Sequence, residues 1–338
     1  MNDKMVILKL GTKKPREIPI RNEEYEALKE LKKTSPLSPL SIDHVLDFAT
    51  VKKGRVRRLY LLDASGLQEH LGVLKHLTEL EELKMGDMSM SDISPLRHLK
   101  KLRKLILYGA TEDISPLQGL KELVDLKLVI DTRDLTPLKG LSKLKKLHLK
   151  CPAEDFSPLE SLHNLKELTI YCTRRDQDLS FFRGLKNLRR LDTFGDISRA
   201  DLTPMKHLKN LEYVFLGGPK ISNVEPIGRL ENLRELEISG AGTLDLSPLG
   251  HLQKLKRIHL SCENVSGLSS LKHLKNLGKL WIFARNLSEE DLTALSGMED
   301  LKIHFRGKDY FTEEDGVYRF AESPWSRPER VAPDSEND

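Results

Sequence analysis

Only three cysteines occur in 338 residues, too few for the disulfide framework of a small secreted domain. No apolar run approaches the ~20 residues that a membrane-spanning helix requires. The opening MNDKMVILKLGTKK holds one six-residue apolar stretch, interrupted by Lys9, and no small-residue cleavage site, so it does not read as a signal peptide. Neither sign of charge dominates: 55 basic residues stand against 51 acidic ones, a formal net charge of +4. So small an excess describes an intermixed, solvated surface and does not by itself argue for nucleic acid as the partner. These absences lead to the expectation of a reduced, cytoplasmic protein that does not enter a membrane.

What the chain has in abundance is one phrase. DISPLRHLKKLRKLILYG (residues 92–109) returns as DISPLQGLKELVDLKLV, DLTPLKGLSKLKKLHLK, DFSPLESLHNLKELTIY and DLSPLGHLQKLKRIHLS. Aligned on the central Leu of L-x-x-L-x-L, the register falls at Leu59, Leu83, Leu105, Leu126, Leu147, Leu168, Leu191, Val214, Leu236, Ile258, Leu280 and Leu301, with spacings of 21 to 24. The L-x-L core alternates as a short strand does. Every copy runs the same way, so the strands are parallel and each repeat supplies its own crossover. That crossover starts at D-x-S-P-L, where Ser94, Ser115, Thr136, Ser157, Ser180, Thr203, Ser247 and Thr293 precede Pro or its substitute. A hydroxyl there can cap a helical turn, and Pro can follow it without needing an N–H. The next x-x-L-x-x-L suits a short helical or 3₁₀ turn. A unit of this size cannot bury its own apolar face; twelve stacked units can.

The phrase resembles a leucine-rich repeat of the short, bacterial, internalin-like kind, over some 250 of the 338 residues. The resemblance implies an α/β repeat solenoid: a curved horseshoe with a parallel concave sheet and short helical or 3₁₀ turns on the convex side. Such repeats carry Asn two residues beyond the L-x-L. Here that column holds Ala64, Met88, Ala110, Asp131, Pro152 and Thr173 in the first six repeats, so no Asn ladder is expected.

The repeats occupy 56–305. Residues 1–55 are expected to form an N-terminal cap or a small α+β domain, with a hairpin from MVILKL and REIPI, a helix over NEEYEALKELKK and a second short helix over SIDHVLDFA. Residues 306–322 are expected to cap the other end, and the Pro-rich, charged 323–338 to be a disordered tail.

Catalysis needs a nucleophile, an acid–base pair or a metal cluster at workable spacing, and the sequence offers none. Cys151, Cys172 and Cys262 share one column with Gly109, Gly195, Gly218 and Ala284, which makes them small inward-facing residues. A bridge between Cys151 and Cys172 is allowed at the ~4.8 Å spacing of in-register strands, but a reducing compartment opposes it. His76, His98, His207, His251 and His273 share a turn column without carboxylates or thiols, so no metal is expected. SGAGTLD near Gly240 lacks the Lys and the helix of a phosphate loop. No cofactor is called for.

The solenoid instead offers surface. The column before the central apolar residue reads Arg58, Glu82, Lys104, Asp125, Lys146, Glu167, Arg190, a strict alternation that predicts a lateral charge ladder. The middle column reads Tyr60, Lys84, Ile106, Lys127, His148, Thr169, Asp192, Phe215, Glu237, His259, Trp281 and Lys302. Exposed aromatics on such a face invite a partner. The chain is therefore expected to be a monomeric, non-catalytic scaffold that binds a protein through Tyr171, Arg190, Tyr213, Phe215 and Trp281. Phe194 is left out, because Thr193 stands where an inward Leu is due and Phe194 is expected to turn in and replace it. The alternatives are a regulatory subunit acting through its N-terminal segment, and nucleic-acid or glycan binding.

Overall fold

The computed structural model describes residues 3–8, 16–32, 49–62, 66–197, 199–218 and 221–284, together with 293, 295–296, 298, 301–305, 308–312 and 318–322. The chain divides into two compact units, Met1–Gly218 and Pro219–Asp338.

In the first unit β1 (Asp3–Leu8) and β2 (Arg16–Arg21) form the expected antiparallel hairpin. Helix α1 (Asn22–Lys32) follows and buries Glu24, Ala27, Leu28 and Leu31, one face at helical spacing. Strand β3 (Ala49–Lys52) turns through Lys53 and Gly54, with φ of 52° and 71°, into β4 (Arg55–Leu62). Two successive positive φ values describe the hairpin turn whose twist suits antiparallel strands, and they place a glycine where its missing Cβ helps.

From β4 the sheet is parallel. It continues through β5 (Glu82–Gly86), β6 (Lys104–Tyr108), β7 (Asp125–Val129), β8 (Lys146–Lys150), β9 (Glu167–Tyr171), β10 (Arg190–Phe194) and β11 (Tyr213–Gly217). The central residues pair in register, Leu105 with Leu126 and Leu126 with Leu147, as the repeat spacing predicts. Each is buried, and so is the second Leu or Ile of each L-x-L, so the core lies along one side of the strands. Beyond β4 comes a short helix, α2 (Leu67–His70), which a 3₁₀ segment prolongs. Every later crossover in this unit carries a 3₁₀ turn, such as Ser94–His98 and Ser115–Gly119.

The cap of these turns is not the hydroxyl. The Asp two residues earlier accepts both the amide and the hydroxyl of the Ser. Ser115 donates its N–H and Oγ–H to Asp113 at 2.8 and 3.0 Å, and Ser157 repeats the geometry on Asp155. The equivalent bonds from Thr136, Thr203 and Ser247 hold the Asp134, Asp201 and Asp245 carboxyls below their ordinary pKa. A depressed folded-state pKa contributes stability above the unfolded-state value and loses it as pH falls through the folded one.

An Asn ladder does exist, in a column that the sequence reading passed over, four residues before the central apolar residue. Asn164, Asn187 and Asn210 donate Nδ2 to the carbonyls of Ser142, His163 and Lys186 at 2.8, 2.8 and 2.9 Å. Each bond ties a repeat to the one before it. Beyond the strands, where Asn is missing, buried Thr111 does similar work by donating Oγ1 to the Met90 carbonyl at 3.1 Å.

The second unit has β12 (Glu235–Asp245), β13 (Arg257–Ser266), β14 (Lys279–Phe283) and β15 (Lys302–Phe305) in parallel, then β16 (Lys308–Thr312) and β17 (Tyr318–Glu322) antiparallel. Strands β12 and β13 run 11 and 10 residues, twice the expected length, with a bulge at Ser239/Ala241 where Gly240 takes φ 79°. The twelfth repeat is misplaced in the sequence reading. Leu280 pairs with Ile303, not Leu301, so the last spacing is 23 and the middle column ends on His304 rather than Lys302. Of the second short helix expected over 41–49, the last residue, Ala49, begins β3 instead, and 41–48 lie outside the described residues, as does the tail expected at 323–338.

The predicted charge ladder resolves into separate pairs. Direct contacts form at Arg58–Glu82 (3.6 Å), Lys104–Asp125 (3.1 Å) and Lys146–Glu167 (2.7 Å), while Arg190 turns away from Glu167 to Asp192. Lys104→Glu places an acid between register neighbours Glu82 and Asp125. It should cost roughly 0.5–1 kcal/mol at low salt and recover in part at high salt. Urea titrations at two ionic strengths check this. A loss that ignores salt would mean the three groups do not interact through solvent.

Candidate aromatic recognition face

Residues flanking the buried positions of each strand alternate onto the open face of the sheet. In the first unit that face gathers aromatic rings across four successive strands. Tyr171 on β9 stacks on Phe194 on β10, with centroids 4.7 Å apart and planes 14° apart. Phe194 meets Phe215 on β11 at 4.8 Å, and His148 on β8 meets the edge of Tyr171 at 5.8 Å. All four side chains are partly exposed.

Phe194 is thus the centre of the row and does not turn inward as expected. Thr193 takes the inward place itself, 1% exposed, because its Oγ1 finds the Phe215 carbonyl at 3.3 Å. A buried hydroxyl with a partner costs little, so no aromatic ring has to replace it. Phe215 reaches the row because Gly217 leaves room. A Cβ on Gly217 would lie 2.7 Å from the Phe215 ring, closer than contact allows. Tyr171 and Phe215 stand at different positions of their repeats, and this missing side chain is what joins them.

Arg190 and Tyr213 form a second cluster on the same strands. The Arg190 guanidinium lies 3.7 Å over the Tyr213 ring and bonds both Asp192 carboxylate oxygens, at 2.8 and 2.9 Å. A planar guanidinium clamped at its edge and stacked on its face is held in one orientation. Asp192 is buried, so its charge is spent within the cluster.

Trp281 lies in the second unit, in a cluster of its own. His259 on β13 contacts Trp281 at 6.1 Å and Phe283 at 5.5 Å, and Lys279 lies 5.7 Å over the Trp281 ring. His259 Nδ1 is 3.6 Å from Glu237; burial pushes the imidazole below its ordinary pKa and Glu237 pulls it back. Phe283, 40% exposed, was missed at the sequence level. Its signal was its place two residues past Trp281 on the same strand face.

All three cysteines are buried free thiols. Burial pushes Cys172 up to about 12 and Cys262 up to about 11, which suits packing rather than nucleophilic chemistry. The five turn-column histidines are exposed, and among the described residues no group of three or more His, Cys, Asp or Glu could hold a metal ion. Nor is any described helix long and apolar enough to cross a membrane.

No protein-family model and no curated protein matches the sequence. Solved structures do match the fold. An internalin from Listeria monocytogenes aligns with a TM-score of 0.55 and 21% identity, over 84% of this chain and 90% of that one. A leucine-rich-repeat protein from Leptospira interrogans aligns with a TM-score of 0.53 and 17% identity, over 71% and 75%. TLR13, solved in complex with ssRNA13, aligns with a TM-score of 0.50 and 17% identity, over 74% of this chain and 46% of that one. Identities this low establish the fold alone.

Proposed function

We propose that this leucine-rich-repeat solenoid is a non-catalytic recognition module that binds a protein partner on the open face of its sheet. The observation that carries the reading is the unbroken row Tyr171–Phe194–Phe215, beside an Arg190 already stacked on Tyr213. Large rings bury much area for few lost rotors, and Tyr, Trp and Arg dominate binding hot spots. The binding residues are Tyr171, Arg190, Phe194, Tyr213 and Phe215 in the first unit, with Trp281 as a separate contact in the second. The chain acts as a monomer in a reducing cytoplasm, a location that three buried thiols without a bridge support.

Residues 1–55 serve as the N-terminal cap rather than as an active domain. The support is α1, whose buried Glu24 accepts the Val56 N–H and whose partly buried Glu30 meets His70, both in the first repeat. Residues 306–322 cap the other end, where β16 and β17 extend the sheet antiparallel.

The test is affinity capture from the native cell on the wild-type chain, with a chain carrying Tyr171→Ala and Phe194→Ala as control. An alanine scan against the captured partner follows. At least one of Tyr171, Phe194, Tyr213, Phe215 and Trp281 should cost about 2 kcal/mol or more in binding, with the melting temperature nearly unchanged. Normal binding by all five variants would move the interface to the turns or to the N-terminal segment.

A further inference from the structure

The open face from β6 to β11 is not electrically neutral. Its acids are Asp125, Glu167 and Asp192, and each has its own cation: Lys104 at 3.1 Å, Lys146 at 2.7 Å and Arg190 at 2.8 Å. Two cations are left over. Neither Lys127 nor Lys150 forms an ion pair among the described residues. Their ammonium groups lie over rings instead, Lys127 at 5.3 Å from the Tyr108 centroid and Lys150 at 5.5 Å from the Tyr171 centroid. His148, beside Lys127 in the register, adds no countercharge; its pKa is pushed down by burial and then by Lys127.

These two lysines sit at the end of the aromatic row. Lys127 pairs in register with His148, and Lys150 lies two residues further along β8, so the lysines are diagonal neighbours. Diagonal residues on adjacent strands have Cα atoms about 7–8 Å apart. An extended chain presents same-side residues every ~6.7 Å, so acids two residues apart would meet both lysines. The next strand carries Tyr171, where the row of rings begins.

We propose that this face takes an extended acidic segment of a partner protein. Two carboxylates, two residues apart, pair with Lys127 and Lys150, and a neighbouring aromatic or large aliphatic side chain lies on Tyr171, Phe194 and Phe215. The inference rests on the recognition reading above and adds the partner's chemistry. Single-stranded RNA also pairs anions with stacking bases, but it needs a run of free cations along its backbone. Here the other face cations of β6–β11 are held by Asp125, Glu167 and Asp192.

The test uses the full chain and a displayed library of random twelve-residue peptides. Selected peptides should be rich in Asp or Glu beside Phe, Tyr, Trp or Leu. The best one, labelled with fluorescein, is then measured by anisotropy against wild type, Lys127→Glu/Lys150→Glu and Tyr171→Ala. Its affinity should fall at least tenfold on the charge-reversed double variant, and again when its own acids are changed to amides. A version with Lys in place of the acids should prefer the double variant to wild type. Lys127→Gln/Lys150→Gln serves if charge reversal harms folding, as read by circular dichroism. The proposal is overturned if no peptide is enriched, if the selected peptides are neutral or basic, or if an acidic peptide ignores the lysine variants. Tighter binding of a labelled oligouridine than of any peptide overturns it too. If Tyr171→Ala abolishes binding while the lysine variants do not, the recognition face stands and the acidic partner falls. If none of the variants matters, both fall.

Discussion

Leu126→Asp should abolish cooperative folding of the first unit at room temperature. Leu126 is fully buried and stacked in register between Leu105 and Leu147, themselves buried. Removing a Leu side chain from such a site costs roughly 3–5 kcal/mol in lost packing. Among the described residues no Lys, Arg or His is buried, so the carboxylate that replaces it must take up a proton or be desolvated, at several kcal/mol more. The sum is comparable with the whole stability of an ordinary domain. A solenoid adds a second cost, because each repeat is held mainly by its neighbours, and a break at the fourth repeat separates the three before it from those after. Pro116→Ala is the contrast. Pro116 is buried at the start of a 3₁₀ turn, and its loss should remove about 1–2 kcal/mol of packing without breaking the sheet. Circular dichroism during urea titration separates the two. A Leu126→Asp chain that unfolds within a few tenths of a molar of wild type would mean that the register is wrong.

The same repetition explains what could be read from the sequence. Each central residue faces the core through the equivalent residues of its neighbours, so a single apolar period carried the strand positions, the parallel pairing and the buried column of cysteines. It failed at Leu301 because Leu301 and Ile303 are two residues apart. Residues two apart share a strand face, so apolarity alone cannot choose between them. The face was harder to read than the core. Arg190 stood in a column of alternating charges and was expected to serve Glu167, but Asp192, two residues on along the same strand, offers it a bidentate partner. The aromatic row crosses from one column to another, and the crossing depends on Gly217 having no side chain. Periodicity records which residues share a column; it does not record where a ring can lean. The Asn ladder was missed for a simpler reason, since its residues were sought only in the column where related repeats keep them.

Glu24→Ala should be the most damaging change outside the leucine core. Glu24 is 1% exposed on α1. One of its carboxylate oxygens accepts from Arg55 Nε, and the other accepts the Val56 N–H at 2.7 Å. Arg55 and Val56 begin β4, the first strand of the parallel sheet, so one buried carboxylate ties the N-terminal helix to the first repeat. Taking away one member of a buried pair costs about 3–5 kcal/mol, because the other charge is left uncompensated. Arg55 keeps some contact with solvent and a bond to Thr78 Oγ1 at 3.3 Å, which places the expected loss near the lower end. Val56 adds an orphaned buried N–H. Glu24→Gln keeps an acceptor for Val56 and removes only the charge, so about half the loss should return. The location of the damage tells a cap from a separate domain. If residues 1–55 are a cap, Glu24→Ala exposes the first repeat, and amide hydrogen exchange should quicken in β4 and β5 while β9 and β10 stay protected. If they are an independent domain, exchange should quicken in α1 and leave β5 as it was. An unchanged melting curve together with unchanged exchange would show that the Glu24 contact holds nothing in place.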